Sequence, residues 1–516
     1  MKGAKSVTGT RARRTRFGVL LAAVLVMAAC GTRLEDSAFD NGQIRQITAG
    51  DPDAPREDTA AVPDADPTTN GDIDTGDDDT AEPSGPSGPG EVAGPTGDPG
   101  PSGPAAPTDG GTEPNVASDV GVTETTLRLG TIVAENGVLG DSFAPAVRGV
   151  RAWVEATNRA GGVHGRQIEL FTCDDREERN RALECARGLV ERDQVFAIVM
   201  TNTRALGGAA PYLAEQKIPV FGIPITNAFY RWPNFFSGYG APYVRDGNEV
   251  GHEDQLRSLT GAYRWLKQNL NVSKAVVVAY DIAESAQAGN FIAEGLRLEG
   301  FQVDQHTVSF AAPSFDQIVA DMERKGTELI FDAMDEGANR RFCDTLERRK
   351  YDVKAKVTTV VGLSESVGRD FNERCRNVMF IAGNTPAFSA TQFPGVAEFR
   401  QAFSTFQPGV ELHQWALEGW LIAKMFQDGM EQLGGDPTRV DLIDLFNARS
   451  EEQLIEGVLI SGAFQPGNFE AERVRQCTVI NRWLDDRGGW VVASDPFPLC
   501  YDDAIQFFTK VSERGD

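Results

Sequence analysis

A helix, a turn and a strand meet in the stretch Asn158-Arg-Ala-Gly-Gly-Val-His-Gly-Arg166. The preceding residues, 144–160, carry three valines spaced three and four residues apart, which is the pattern of a helix with one buried face. Gly161 then ends the helix, because glycine readily adopts the positive φ angles that a helix end and a tight turn require. The apolar and β-branched residues of 167–172 predict a strand after the turn.

Outward from this turn, short β-branched runs alternate with helical segments in two successive series. The expected strands are 127–133, 167–172, 196–200, 219–222, 275–279, 303–308, 329–331, 356–361 and 378–381. The expected helices are 144–160, 177–192, 205–216, 285–299, 315–326 and 412–433. Strands separated by helices of about 10–15 residues form parallel sheets covered on both faces. The sequence therefore predicts an α/β fold of two doubly wound parallel-sheet lobes.

The N-terminus has the features of an export signal. Residues 1–16 are basic, residues 17–27 are apolar, and Ala28-Ala29-Cys30 follows. The apolar run is well short of the roughly 20 residues that a membrane-spanning helix needs. Val26-Met-Ala-Ala-Cys30 resembles a bacterial lipobox, which implies cleavage after residue 29 and lipidation of Cys30. The alternative is an ordinary signal peptide followed by an unrelated cysteine.

Residues 31–120 have the composition of an extended spacer. They contain 20 acidic residues against three basic ones and very few large apolar side chains. Such a segment cannot bury enough apolar surface to offset the entropy lost on ordering. Glycine recurs at nearly every third position of 85–103, but these few triplets are too short for a stable triple helix. We expect residues 30–120 to be a lipidated, disordered stalk.

Charge and motifs exclude several classes of protein. The whole chain has a net charge of −25, which disfavours nucleic-acid binding because phosphates require a basic surface. Only four histidines are present, and the zinc-protease, nucleophile-elbow, phosphate-loop and dinucleotide-binding motifs are all missing from the sequence. We therefore expect a protein that is not an enzyme and that binds no nucleic acid, metal or cofactor.

Six cysteines remain after Cys30, and six cysteines allow fifteen pairings. They fall into three local pairs along the chain, each of which spans a plausible turn or one helix. We expect nearest-neighbour disulfides, and the cysteines concerned are Cys173, Cys185, Cys343, Cys375, Cys477 and Cys500. Exported proteins can keep such bonds because their environment is oxidising.

The glycine-rich turn resembles the Asn-x-Ala-Gly-Gly-Val-x-Gly-Arg turn of the type I solute-binding proteins, the branched-chain amino-acid-binding family. Four further stretches resemble that family, and together the likeness covers about residues 122–498. They are Gly121-Val-Thr123, Asp174-Asp175, Lys217-Ile-Pro-Val220 and Leu433-Gly-Gly-Asp-Pro437.

This resemblance implies a two-lobed clamp that closes on a small ligand. By analogy, lobe 1 would contain residues 121–242 with 386–464, and lobe 2 would contain 243–385 with 465–516. Three crossovers near 240–242, 384–386 and 464–466 would join the lobes. The family implies delivery of the ligand to an ABC permease and its ATPase by a monomer, anchored by lipid on the extracytoplasmic face of the membrane.

In open parallel sheets, ligands bind beyond the carboxyl ends of the strands. In lobe 1 the residues at these positions have hydroxyl and amide groups that can hydrogen-bond a carboxylate. These candidate ligand-binding residues are Thr201, Asn202, Thr203, Thr226 and Asn227. The family uses this lobe for the ligand carboxylate. The alternative is that these residues only cap the helices that follow.

In lobe 2 the candidates are Tyr280, Ser285, Asp335, Ser364 and Glu365. Amino-acid binders of the family hold the ligand ammonium here with an aromatic hydroxyl and a carboxylate. Ser285 and Ser364 stand where relatives place tyrosine and the carboxylate, so Asp335 or Glu365 would have to substitute. The ligand class therefore stays open among amino acids, amides and small carboxylates, and each acid has the alternative of being solvated surface.

Two other functions use the same fold. A sensor lipoprotein would close on a ligand and report it to a signalling partner. A cell-envelope interaction module would have kept the fold and lost the ligand, which the serines at 285 and 364 leave open.

Overall fold

The computed structural model describes residues 115–239, 245–449, 453–461 and 469–511. The predicted signal peptide, Cys30 and almost all of the stalk lie outside these residues, as do the predicted crossovers at 240–242 and 464–466. None of the helices in the described ranges is long and apolar enough to cross a membrane.

The first series of predicted elements forms a five-stranded parallel sheet. Its strands are β1 Thr126–Val133, β2 Gln167–Asp174, β3 Ala197–Asn202, β4 Val220–Phe221 and β5 Phe235–Phe236. They are ordered β2-β1-β3-β4-β5. The helices between them are α1 Gly140–Phe143, α2 Pro145–Arg159, α3 Arg179–Arg187, α4 Ala210–Glu215 and α5 Ala228–Arg231. The central strand β3 is buried along its whole length, as expected for a parallel strand covered on both faces.

The remaining elements, numbered in chain order, form a larger mixed sheet and several helices. The strands are β6 Gln255–Leu259, β7 Lys274–Tyr280, β8 Gln302–Val308, β9 Leu329–Ala333, β10 Ala355–Thr358, β11 Met379–Gly383, β12 Gln453–Ile455, β13 Leu459–Ser461, β14 Arg473–Leu484, β15 Gly489–Val492 and β16 Leu499–Lys510. The helices are α6 Gly261–Leu270, α7 Ala283–Leu298, α8 Asp316–Lys325, α9 Glu336–Arg349, α10 Val367–Asp370, α11 Glu373–Arg376, α12 Pro394–Phe406, α13 Gln414–Leu433 and α14 Arg439–Ala448.

The second sheet is ordered β6-β16-β14-β11-β10-β9-β7-β8, with β15 paired to β14. The strands from β8 to β11 in this order are parallel, as the sequence predicts. The strands β14, β16 and β6 continue the sheet in antiparallel pairing, and β12 with β13 forms a separate hairpin. The predicted α/β class is confirmed, and the antiparallel extension is a feature that the sequence analysis did not anticipate.

The glycine-rich turn is linked to three segments that are distant from one another in the sequence. Its backbone takes positive φ angles at Gly161 and Gly162, and a Cβ at Gly162 would lie 2.0 Å from the Arg166 carbonyl oxygen. The Arg166 guanidinium is buried and donates to the carbonyl oxygens of Thr123, Val116 and Gly435 at 2.6, 3.0 and 2.6 Å. One side chain therefore joins the start of the described chain, the approach to β1 and the turn after α13.

Helix α13 returns to the first sheet after the chain has built most of the second. Its Phe426 ring contacts Phe221 of β4 and Trp153 of α2, at centroid distances of 5.5 and 6.5 Å. This packing supports the proposed assignment of residues 386–464 to lobe 1. We therefore keep the lobe boundaries given above as a proposal and use the names lobe 1 and lobe 2 for the two sheets with their helices.

All three predicted disulfides are present. Cys173–Cys185 joins β2 to α3, Cys343–Cys375 joins α9 to α11, and Cys477–Cys500 joins β14 to β16. Each bond connects elements of one sheet or of its helices, so none links lobe 1 to lobe 2.

The crossing of α2 and α13 generates a stability prediction. A Cβ at Gly149 would lie 1.8 Å from the Ala416 carbonyl oxygen, so Gly149→Ala must push the helices apart. We expect a loss of about 3 kcal/mol in the free energy of unfolding, measured by urea denaturation. Glu155→Ala, on the exposed face of α2, is the control and should change it by less than about 0.5 kcal/mol. Equal stabilities of the two variants would contradict a tight crossing.

Candidate functional site

A cavity of about 570 Å³ lies between the carboxyl ends of the two parallel sheets. Lobe 1 contributes the loops after β1, β3 and β4, and lobe 2 contributes loops after β7 to β11 together with the start of α7. Loops diverge at this edge of a parallel sheet, which leaves a crevice for a ligand. The volume is within the range of about 300–1,000 Å³ that is typical of small-molecule sites.

The wall of this cavity is mainly apolar and aromatic. Nine aromatic side chains line it: Phe143, Tyr230, Tyr239, Tyr263, Tyr280, Phe291, Phe310, Phe331 and Trp415. Tyr280 and Phe310 pack edge to face, with ring centroids 5.0 Å apart. A wall of this kind favours a ligand with an apolar body, because burying apolar surface drives its binding.

Five of the ten predicted ligand-binding residues lie in the cavity wall. They are Thr226, Asn227, Tyr280, Ser285 and Asp335. Residues from both lobes are therefore brought together.

The other three lobe 1 candidates, Thr201, Asn202 and Thr203, lie behind the wall. All three are at most 1% exposed. The Asn202 amide donates to the Phe143 carbonyl oxygen at 3.2 Å, and the Thr203 hydroxyl accepts from the Ala205 N–H at 3.0 Å. Phe143 itself lines the cavity, so Asn202 supports a wall residue.

Ser364 and Glu365 also lie outside the lining. The Ser364 hydroxyl donates to the Glu336 carboxylate at 3.2 Å, and the Glu365 carboxylate accepts from the Leu412 N–H at 3.3 Å. These bonds hold the loop after β10 against neighbouring segments rather than offering polar groups to the cavity.

The three predicted lobe 2 residues in the wall bond to one another or to nearby backbone. The Tyr280 hydroxyl donates to the Asp335 carboxylate, which also caps α9 by accepting from the Ala338 N–H at 3.0 Å. The Ser285 hydroxyl donates to the Ala333 carbonyl oxygen at 2.6 Å and accepts from the Tyr280 N–H at 2.8 Å. Burial, with the hydrogen bond to Asp335, raises the pKa of Tyr280, which therefore stays protonated.

A buried ion pair between the lining residue Asp332 and Lys356 was not predicted from the sequence. Lys356 and Asp332 are fully buried and in direct contact, and Lys356 also donates to the Asn339 side chain. Asp332 accepts a further bond from the Thr358 hydroxyl at 3.0 Å. Burial lowers the pKa of Lys356, and the attraction of Asp332 opposes that shift. A lysine inside the short strand Ala355-Lys-Val-Thr358 is the one sequence signal for this pair.

The two lobes touch at the rim of the cavity. The Gln287 amide of α7 donates to the Asn227 side-chain oxygen at 3.3 Å. The Arg204 guanidinium lies 5.5 Å from the Phe310 ring centroid, and Arg204 is paired with Glu177 at 2.6 Å. Residues of lobe 1 and lobe 2 thus contact each other directly beside the cavity.

Glu418 lies where the segments between the lobes meet α13. Its carboxylate accepts from the Tyr239 hydroxyl at 3.0 Å and from the Thr385 hydroxyl at 3.4 Å. Tyr239 lines the cavity, and Thr385 follows β11 on the chain's way to lobe 1. Burial raises the pKa of Glu418 to about 7, and these two hydrogen bonds act in the opposite direction.

Within the described ranges, no group of histidine, cysteine and acidic side chains could hold a metal ion.

The chain is similar to known solute-binding proteins. A sequence model described as periplasmic binding protein matches residues 126–489. An ABC transporter substrate-binding protein from Sphaerobacter thermophilus is 15% identical, with a TM-score of 0.57, and the match covers 73% of this chain and 98% of that chain. None of the curated proteins gives a match.

Two further similar structures are of proteins whose names include a ligand. A fatty acid ABC transporter substrate-binding protein from Thermomonospora curvata is 16% identical, with a TM-score of 0.57, covering 77% of this chain and 96% of that chain. A solute-binding protein from Rhodopseudomonas palustris in complex with 3,4-dihydroxybenzoic acid is 17% identical, with a TM-score of 0.55, covering 74% and 98%. At these identities the likeness shows the fold.

The position of Glu418 generates a pH prediction. Its folded-state pKa of about 7 lies above its ordinary value of about 4.5, so the native state favours the neutral carboxyl. The contribution of the neutral carboxyl to the free energy of unfolding is fully present below about pH 4.5. It is lost as the pH rises through 7, and the total loss is about 3 kcal/mol at most. Glu418→Gln should remove this loss in urea denaturation between pH 5 and 8. The exposed control Glu155→Gln should show the same loss of stability with pH as the wild type. A pH profile that Glu418→Gln leaves unchanged would contradict the raised pKa of Glu418.

Proposed function

Because the chain belongs to the periplasmic binding protein family, we propose that it captures a small solute between its lobes and delivers it to an ABC importer. The observation that carries this proposal is the cavity itself, whose wall is shared by loops of both sheets. A ligand that contacts both lobes stabilises the closed arrangement, so binding shifts the population toward it. The importer would then recognise the closed protein.

The ligand class follows from the chemistry of the wall. The Asp335 carboxylate accepts from Tyr280 and from the backbone of α9, so part of its acceptor capacity is used within the protein. The aromatic side chains favour an aromatic or aliphatic body over a small polar solute. The names of the two structures above, for a fatty acid transporter and a dihydroxybenzoate complex, support such a ligand in this fold.

The location rests on the sequence. The lipobox-like residues before Cys30 support export and lipid anchoring, and residues 31–120 would then separate the two lobes from the membrane. The test is metabolic labelling with a fatty acid: the wild-type protein should incorporate the label, and Cys30→Ser should not.

A thermal-shift screen tests solute capture. The panel would hold amino acids, sugars, polyamines, aromatic carbonyl compounds and fatty-acid derivatives. A ligand at a hundred times its dissociation constant stabilises the protein by about 2.7 kcal/mol, which raises the melting temperature by a few degrees. At least one apolar-bodied compound should give this shift. A folded protein that responds to no compound would favour the interaction module instead.

Variants of α7 show whether such a shift comes from the cavity. Ala288 lines the cavity, so Ala288→Trp should fill it and abolish the shift. Arg297→Trp adds the same ring on the exposed end of α7 and should leave the shift unchanged. If Ala288→Trp still responded like the wild type, the cavity would not be the binding site. Loss of uptake of the same compound in a deletion strain would then distinguish import from signalling.

A further inference from the structure

The cavity extends from the crevice between the lobes into the interior of lobe 2. Its lining positions on α7 run from Ala283 at the crevice to Ile292, which is about 13 Å along the helix axis at about 1.5 Å per residue. Side chains of four strands of the second sheet line the same space, and they are Phe331, Val357, Ala382, Gln476 and Thr478. We call the space between these side chains and the helices α6 and α7 the lobe 2 arm.

The arm lies in the layer between the second sheet and the helices that cover one of its faces. Side chains alternate between the two faces along a strand. Phe331 and Val357 share one apolar cluster with Leu266 of α6 and Leu296 of α7, so they point toward these helices. The arm is therefore a gap in the apolar layer of lobe 2 that opens into the crevice.

Small side chains leave this layer unfilled near the crevice. Deeper in the layer, the rings of Trp265 and Phe380 pack with centroids 6.3 Å apart. Ala382 stands two residues after Phe380 in β11, and Ala262 of α6 and Ala288 of α7 are also in the lining. Protein interiors rarely contain voids much larger than a water molecule, so a gap of this size is suited to a ligand.

None of the described residues that line the arm is charged. The charged lining residues lie elsewhere. They are Arg204 in lobe 1, Glu284 in the first turn of α7, Asp335 at the start of α9, and Asp332, which points to the opposite face of β9 from Phe331. A charged group inside the arm would therefore be buried without a counter-charge, which is costly.

The polar side chains of the arm bond within the protein or contribute an aromatic ring. The Gln476 side-chain oxygen accepts from the Gly261 N–H at 2.6 Å, and the Thr478 hydroxyl donates to the Gly383 carbonyl oxygen at 3.2 Å. The Tyr263 ring packs edge to face against Phe331, with centroids 5.5 Å apart. Burial raises the pKa of Tyr263, so its hydroxyl stays neutral. The arm thus offers mainly apolar surface along its length.

We propose that the lobe 2 arm holds a linear alkyl chain, whose polar head group stays in the crevice between the lobes. The space between a sheet and the helices on it is one layer of side chains thick, so a single chain fits along it better than a compact ring cage. This inference rests on the proposed function and deepens it. It selects an aliphatic ligand and places the chain inside one lobe.

Two series of linear probes test the inference on the purified protein by isothermal titration calorimetry. The first series is hexanoate, octanoate and decanoate, and the second is hexan-1-ol, octan-1-ol and decan-1-ol. In at least one series, each step of two carbons should lower the dissociation constant about ten-fold, because each added methylene is buried in the arm. Decan-1-ol should also bind more tightly than adamantan-1-ol, which has the same number of carbons in a compact cage.

Two variants assign the chain-length effect to the arm. Ala382→Phe should fill the arm and reduce the gain from the six-carbon to the ten-carbon chain from about 100-fold to less than about three-fold. Asn290→Phe adds the same ring on the exposed face of α7 and should leave the gain unchanged. The melting temperature shows whether each variant is folded, and the smaller Ala382→Leu replaces Ala382→Phe if that variant is not.

The outcomes separate this inference from the proposed function. Affinities that do not depend on chain length, tighter binding of adamantan-1-ol than of decan-1-ol, or an unchanged gain in folded Ala382→Phe would each overturn the inference. Binding of none of these probes would overturn it as well. Solute capture would still stand if a compound of another class stabilised the protein in the thermal-shift screen. Silence of the probes and of the whole screen would reject both.

Discussion

The close approach of α2 and α13 is the constraint on which the cavity depends. Glycines at 149 and 419 let each helix touch the backbone of the other, since a Cβ at either position would lie about 2 Å from a carbonyl oxygen. This contact fixes the first turns of α13 over the first sheet. Trp415 in the cavity wall and Glu418 beside the connecting segments are therefore positioned by helix packing, although both residues follow the strands of the other lobe in the chain.

The two sides of the cavity differ in how their polar groups are satisfied. On the lobe 2 side, Tyr280, Ser285 and Asp335 bond to one another or to nearby backbone, and the lining residue Asp332 pairs with the buried Lys356. On the lobe 1 side, Thr226 and Trp415 keep polar atoms that no described residue satisfies. The three lobe 2 residues are therefore satisfied within the protein, whereas two wall residues of lobe 1 each leave a buried polar atom without a partner among the described residues.

Local signals explain what could be predicted from the sequence. The valine stripe of α2, the glycine turn and the spacing of cysteines each depend on neighbours within one helix or loop, and the structure contains all of them. The strands β14 and β16 were missed because charged residues interrupt their apolar pattern where one face is exposed. The place of Trp415 in the cavity wall could not be predicted, because it depends on a helix that crosses back from the other sheet. Thr201 and Asn202 are the last two residues of β3, which extends two residues beyond the predicted strand, so they lie buried behind the cavity wall.

The central claim is that one solute is held by both lobes at once. Hydrogen–deuterium exchange with a saturating hit from the screen tests it most directly. The account predicts simultaneous protection of residues 223–230 in lobe 1 and 282–292 in lobe 2, both of which contribute to the wall. Protection confined to one of these segments, or to neither, would contradict a shared interlobe site.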